Sequence, residues 1–378
     1  MSSKSSRHTL PGSERHALAG AKAVGEVHPD ERIEVTLRLR SKTPLATLAA
    51  RGVHDATPPA RRRYLTRDEF AASHGADAKD LAAVEAFAQA HGLVVVESSA
   101  ARCSVVLAGN AASLAAAFGV ELKRYEHAGG SYRGRTGSIT LPAELADVVQ
   151  GVFGLDDRPA ASTHFQVFQP VRGVQAHAAS VAYTPLQLAA LYDFPTGLDG
   201  SGQCIAIIEL GGGYRPADLN TYFKSLGLAA PKVKAVLVDH GHNAPTTSDS
   251  ADGEVMLDIE VAGAIAPKAS LVVYFAPNTD QGFLDAITTA VHDKVNKPSV
   301  ISISWGQAES AWTTQSMTSF DQAFQAAAAM GVTVCVAAGD NGSADGVSDG
   351  KPHVDFPASS PNVLGCGGTK LLANGGKI

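Results

Sequence analysis

Apolar and polar positions follow two different rhythms along the chain. Between residues 31 and 157 the rhythm is mixed. "ERIEVTLRLR" (31–40) alternates apolar and polar side chains, which predicts a half-buried strand. "KDLAAVEAFAQAHG" (79–92) places apolar residues at three- and four-residue spacing and ends at Gly92, which predicts a helix and its stop. "LVVVESSA" and "CSVVLAG" read as strands, and "NAASLAAAFGV" as a helix capped by Asn110. "RYEHAGGSYRG" reads as a hairpin. The order, β-α-β-β-α-β in outline, predicts a small α+β domain of ferredoxin-like type over 31–157. Residues 1–30 are polar and are expected to form a disordered arm. Residues 158–182 keep no period and are expected to be an exposed, cleavable linker.

After Tyr183 the rhythm changes. Short runs that are apolar throughout, "CIAIIEL" (204–210), "VKAVLVD" (233–239), "SLVVYFA" (270–276), "SVISISW" (299–305) and "VTVCVAAG" (332–339), alternate with helical stretches near 216–227, 253–266, 279–293 and 319–330. Strands without polar alternation are buried on both faces, so this region is expected to be an α/β unit, a parallel sheet with helices on both sides.

Composition narrows the class. The chain has 378 residues, 45% hydrophobic and 18% charged, with a net charge of −6, which leaves no basic footprint for nucleic acid. No apolar run approaches the length of a membrane span, and the first twenty residues lack the apolar core of a secretory signal. The four cysteines, Cys103, Cys204, Cys335 and Cys366, are widely spaced. Three stand in apolar strand-like runs, so they are read as buried thiols and not as a metal site or a disulfide framework.

Sites in open parallel sheets form beyond the carboxyl ends of the strands. Glu209 closes the first strand there, Trp305 closes "SISW" and Asp340 follows "VAAG". The helix "DGEVMLDIEVAGAIAP" (252–267) carries Glu254 and Asp258 four residues apart, and its start faces the same edge. First-turn acids suit a helix dipole, and Ser250 or Asp252 would serve as a plain cap. Like charges at that spacing repel, however, and the apolar run behind them implies burial, where paired carboxyls share a proton and their pKa values separate. That arrangement serves acid/base chemistry better than it serves stability. "HGH" (240–242) has no partner at metal-ligand spacing and reads as a loop. "ELGGGY" (209–214) is not the GxGxxG of a dinucleotide site.

Taken together, "DGEVMLDIEVAGAIAP", "SISWG", "VAAGDNGSADG" and "HVDFPASSPNVLGCGGT", in this order, resemble the sedolisin family, the serine-carboxyl peptidases, from about residue 31 onward. The resemblance implies a subtilisin-like catalytic domain (183–378, an N-terminal part) behind a ferredoxin-like prosegment (31–157). It implies peptide or protein substrates, an intramolecular contact between prosegment and catalytic domain, action outside the cell, and an acid optimum. In that reading Glu254 is the general base for a serine nucleophile, and Asp258 holds it through a shared proton. Glu209 and Trp305 extend the network. Asp340 donates to the developing oxyanion, and Asp355 lines a pocket for a basic side chain. Cleavage is expected between about Arg172 and Ser180. The family's "GTS" nucleophile and its calcium site are expected beyond residue 378, because "GGTK" (367–370) carries Lys370 and not serine. The chain as it stands is therefore expected to be inactive and to hold no cofactor. The competing expectation is a non-catalytic paralogue that inhibits a related peptidase through its prosegment.

Overall fold

The computed structural model describes residues 6–45, 58, 61–164, 183–247, 250–369 and 371. The N-terminal domain contains β1 (Arg7–Thr9), β2 (Lys22–Glu26), β3 (Arg32–Leu39), α1 (Arg67–His74), α2 (Ala78–Ala90), β4 (Val94–Ser99), β5 (Ser104–Asn110), α3 (Ala111–Phe118), β6 (Lys123–His127), β7 (Gly130–Gly134), β8 (Thr140–Pro142) and β9 (Val149–Phe153). Its main sheet is antiparallel in the order β4-β5-β3-β9. With its crossing helices this is the ferredoxin-like pattern the periodicity predicts. Local chemistry sets the helix starts. Thr66 and Glu69 form a reciprocal capping box ahead of α1, and the Asn110 side chain accepts from the Ser113 amide at 2.8 Å ahead of α3.

One expectation fails here. Residues 6–30 are not a disordered arm: β1 pairs with β8, β2 pairs with β6, and Arg15 is buried in the molecule. The stretch has no period of its own because its strands are short edge additions whose partners lie about a hundred residues away in the chain.

The C-terminal domain runs through β10 (Ser162–Thr163), α4 (Pro185–Leu191), β11 (Cys204–Glu209), α5 (Pro216–Ser225), β12 (Val233–Leu237), α6 (Asp252–Ile265), β13 (Ser270–Phe275), α7 (Asp280–His292), β14 (Val300–Ile303), β15 (Trp305–Ala308), α8 (Thr314–Ala329), β16 (Thr333–Ala337), β17 (Asp355–Phe356) and β18 (Leu364–Cys366). Six strands form a parallel sheet in the order β12-β13-β11-β14-β16-β18. One face packs on α5 and α6 through Phe223, Val255 and Ile259, and the other on α7 and α8 through Phe283, Phe320 and Phe324. This is the subtilisin-like architecture expected after Tyr183.

Two readings need adjusting. Trp305 does not close the strand 299–305. That strand ends at Ile303, and Trp305 opens β15, which runs antiparallel between β10 and β17. Of the cysteines, Cys103 and Cys204 are buried, Cys335 is half-buried and Cys366 is exposed, because β18 is an outer strand of the sheet.

The two domains share one apolar core, into which Phe70 and Phe153 of the N-terminal domain insert. Buried polar contacts cross the seam. Arg15 pairs with Asp280 at 2.7 Å, and the Thr36 hydroxyl donates to Asp285 at 2.5 Å. The expected linker is therefore partly structured. Residues 158–164 are held against the C-terminal domain, where the Asn278 side chain accepts from both Ala160 and Ala161 amides at 3.0 Å. The expected cleavage region, Arg172 to Ser180, lies outside the described residues.

Candidate active site

At the carboxyl edge of the parallel sheet, β11 delivers Glu209 and the end of β14 delivers Ser304. The first turns of α6 deliver Glu254 and Asp258. Glu209 is 0% exposed, and its Oε2 accepts from the Trp305 indole Nε1 at 2.8 Å. Burial pushes its carboxyl well above the ordinary range, and the charges of Asp258 and Glu254 add to this against the opposing Trp305 bond. Glu209 therefore carries a proton in weak acid. Asp258 is pushed up to about 6 by burial, against the Ser304 hydroxyl, whose oxygen lies 2.9 Å from both of its carboxyl oxygens. Its one hydroxyl proton serves one of them at a time.

Glu254 and Asp252 share the start of α6 but differ in use. The Asp252 carboxylate accepts from the Thr246 amide at 2.5 Å and so ties down the preceding loop, a structural task. Glu254 is buried beside the other carboxyls, close enough for its charge to act on Glu209. The glycines of "ELGGGY" have a packing role. Gly212 has φ +68°, and a Cβ there would stand 2.6 Å from the backbone of Ala251, so only glycine lets this loop lie against the start of α6. "HGH" is a loop that reaches the N-terminal domain, His240 Nε2 lying 3.4 Å from Glu34.

The cleft wall is β15. Along it β10, in the stretch that follows the N-terminal domain, is laid as an added strand: Ser162 and Thr163 pair antiparallel with Gly306 and Trp305, and the His164 amide donates to the Ser304 carbonyl at 3.2 Å. The His164 side chain is buried, its Nε2 3.5 Å from Asp355 Oδ2, an ion-pair separation rather than a hydrogen bond. Burial acts to lower the imidazole pKa, but Asp355 first, then Glu254 and Asp345, overcome it, and the net direction is up. Asp355 fits beneath β15 because residue 306 is glycine; a Cβ there would stand 2.2 Å from its Oδ1. Asp345, in the loop after β16, is raised by burial and then by the Asp355 charge.

Of the residues expected from sequence, Glu209, Glu254, Asp258 and Trp305 come together, and Asp355 joins them through His164. Asp340 is exposed in the loop after β16, next to Gly339, whose Cβ position would lie 3.4 Å from the His164 ring. Ser304, His164 and Asp345 are additions. Ser304 stood in plain view before Trp305 in "SISW". His164 falls in a stretch without period, and nothing local marks it. Among the described residues no group of His, Cys, Asp and Glu is arranged to hold a metal ion, and no helix is long and apolar enough to cross a membrane.

Residues 19–158 match the family model "Pro-kumamolisin, activation domain", and residues 240–375 match "Subtilase family". The chain is 50% identical over 377 residues to kumamolisin from Bacillus sp. (strain MN-32), covering 98% of this chain and 68% of that one. It is 30% identical over 392 residues to tripeptidyl-peptidase sed5 of Aspergillus fumigatus, covering 96% and 66%. It is 27% identical over 351 residues to sedolisin of Pseudomonas sp. (strain 101), covering 90% and 60%. The chain thus spans about two thirds of the length of these relatives or less. With an activation domain ahead of a subtilase-type domain and half of its residues identical to kumamolisin, the chain belongs to the sedolisin family of serine-carboxyl peptidases.

Proposed function

We propose that the chain is the activation domain and the leading part of the catalytic domain of an acid-acting endopeptidase of the serine-carboxyl type. The observation that carries the reading is the carboxyl cluster, Glu209, Glu254 and Asp258, buried at the sheet edge beside β15, on which Ser162 and Thr163 lie as an added antiparallel strand. Glu254 takes the proton of a serine hydroxyl as it attacks the peptide carbonyl, and returns it to the leaving amine. Asp258, protonated below about pH 6, orients Glu254 and feeds protons to it, and Ser304 fixes Asp258 in turn. Glu209, protonated and held by Trp305, keeps the cluster from accumulating a third negative charge. Asp340 serves as the oxyanion donor. By resemblance to the family, the nucleophilic serine and the calcium site are assigned to the region following Ile378. Asp355, which faces the His164 imidazole, favours a basic side chain in the substrate. Substrate enters only after residues 162–164 leave β15, so the chain is a zymogen form, and a secreted one by the same resemblance.

The test is hydrolysis of a peptide carrying arginine or lysine, followed from pH 3 to 7 on the whole gene product and on its Glu254→Gln variant. Turnover is expected to peak in acid and to fall by at least about 10³-fold in the variant, as loss of a general base in a covalent mechanism implies. A variant within ten-fold of the parent overturns the assignment of Glu254. Turnover by residues 1–378 alone overturns the placement of the serine. Inhibition of a related peptidase by an inactive gene product supports the inhibitor in its place.

A further inference from the structure

The last turn of α7 is enclosed by arginines of the N-terminal domain. Arg67 Nε donates to the Val291 carbonyl at 2.9 Å, and its Nη2 to the Pro298 carbonyl at 2.8 Å. Arg102 Nη1 donates to the Thr289 hydroxyl at 3.0 Å. Arg38, buried, donates to the Arg102 carbonyl and leaves its Nε buried without a hydrogen bond. His292, the final residue of α7, sits among them. Its ring packs on Phe70 at 5.4 Å between centroids, and its Nδ1 is buried without a hydrogen-bond partner. Two cavities at the domain seam, about 450 and 510 Å³, meet at this imidazole.

We propose that His292 is the group through which mild acid loosens the activation domain from the catalytic domain: docking surrounds the imidazole with three arginines, so the docked state accepts only its neutral form. This rests on the reading of residues 19–158 as a releasable activation domain. Once the domains part, Arg38, Arg67 and Arg102 leave together. His292 is then the C-terminal residue of a helix, where carbonyl dipoles favour a cation, with Asp293 beside it. Proton uptake and docking therefore exclude one another.

The other charges around the seam do not rescue the imidazolium. Glu97 is engaged by Arg102, and Asp293 accepts from Tyr274 at 2.8 Å and from the Val295 and Asn296 amides. Lys294 adds positive charge and reaches Asp68. His74 is held by the Thr43 carbonyl, and the Cys103 thiol by the His74 carbonyl. Asp321, in the larger cavity, accepts from Ser360 at 2.5 Å. Asp239 and Asp285 face each other across the seam from Thr36, but both belong to the catalytic domain. They remain paired when the domains part, so their titration follows unfolding more than undocking.

In the docked chain His292 is pushed down to about 3, by burial first and then by Arg38, Arg102, Arg67 and Lys294. Above the ordinary histidine value, near 6.5, both states are neutral and docking is unaffected. Between that value and about 3 only the undocked state binds the proton, so docking weakens by up to about ten-fold per pH unit as pH falls.

The experiment is hydrogen exchange of the whole chain, read at peptides 67–74 and 280–292 from pH 7 to 3 and corrected for intrinsic rates. Protection in these peptides is expected to fall in the wild type through this window. In His292→Gln, which cannot take the proton, the midpoint is expected at least one pH unit lower. An unchanged midpoint overturns the proposal. Where His292→Gln fails to dock at pH 7, NMR titration of His292 in the wild-type chain decides: a pKa below 5 upholds the proposal, and one near or above 6 overturns it. Neither measurement needs peptide turnover, so a failure here leaves the peptidase reading to its own test.

Discussion

Removing the arginine that crosses the domain seam to Asp280 tests the seam most directly. Asp280 is buried at the start of α7, where Arg15 Nη1 stands 2.7 Å from its Oδ2 and the Ser316 hydroxyl 2.8 Å from the same oxygen. Arg15→Met keeps much of the side-chain stem and removes the charge. Asp156, 3.8 Å from Arg15, retains Arg158 at 2.7 Å, so the uncompensated group in the variant is Asp280. Leaving one partner of a buried pair alone costs about 3–5 kcal/mol. Burial alone would raise the Asp280 pKa, but Arg15 overcomes it and holds the carboxyl below its usual range. The pair's contribution is therefore present above about pH 4 and is lost as pH falls below that. In Arg15→Met the carboxyl is free to take a proton, so the deficit shrinks on acidification by up to about 1.4 kcal/mol per pH unit. Urea unfolding followed by circular dichroism at pH 5, 6 and 7.5 measures this. Asp280→Asn in the same background is expected to recover at least about 2 kcal/mol, the coupling expected of a buried pair. A cost below about 1 kcal/mol at pH 7.5, or a cost that does not change with pH, refutes the reasoning.

Two further outcomes follow from buried carboxyls. Trp305→Phe removes the indole donor to the fully buried Glu209 and is expected to cost about 1–3 kcal/mol in urea unfolding at pH 7; a loss below about 0.5 kcal/mol means water takes over the bond. Asp239 is pushed up to about 9 by burial and by the facing Asp285, so the folded chain holds a proton that the unfolded chain releases above about pH 4. The wild type therefore loses stability as pH rises from 4 to 9, by up to about 1.4 kcal/mol per unit. Asp239→Asn, which needs no proton, is expected to be the more stable protein at pH 8, and equal or lower stability there refutes the shared proton.

Periodicity carried most of the fold. The alternation in 31–40, the spaced apolar residues of 79–92 and the uniformly apolar runs after 204 each describe which faces are buried, and burial selects the element. What periodicity missed is instructive. Residues 7–9 and 22–26 are too short to show a pattern, and they are strands only because distant partners offer them a free edge. α8 begins at Thr314 and not near 319, because the Thr313 hydroxyl caps it by accepting from Ser316, through a polar stretch the apolar rhythm overlooks. Trp305 was legible as lying at the same sheet edge as Glu209 but not as the start of a second small sheet, since the turn at Ser304 reverses the strand's pairing without any change in hydrophobicity.

The carboxyl cluster was legible because Glu254 and Asp258 interrupt an apolar helix at one-turn spacing, an arrangement whose electrostatic cost is visible without coordinates. That one run of sequence determined the face, the spacing and the need for burial. Tertiary structure alone decided which groups would meet it: Glu209 from a strand that ends some forty residues earlier, Ser304 from another some forty residues later, and His164 from the connecting stretch just beyond the activation domain. The same holds for His292, an unremarkable helix-terminal histidine until Arg38, Arg67 and Arg102 are folded around it. A sequence specifies a residue's own chemistry and its neighbours at helical or strand spacing. The charge and burial that set its proton affinity come from elements that only the fold brings within a few ångströms.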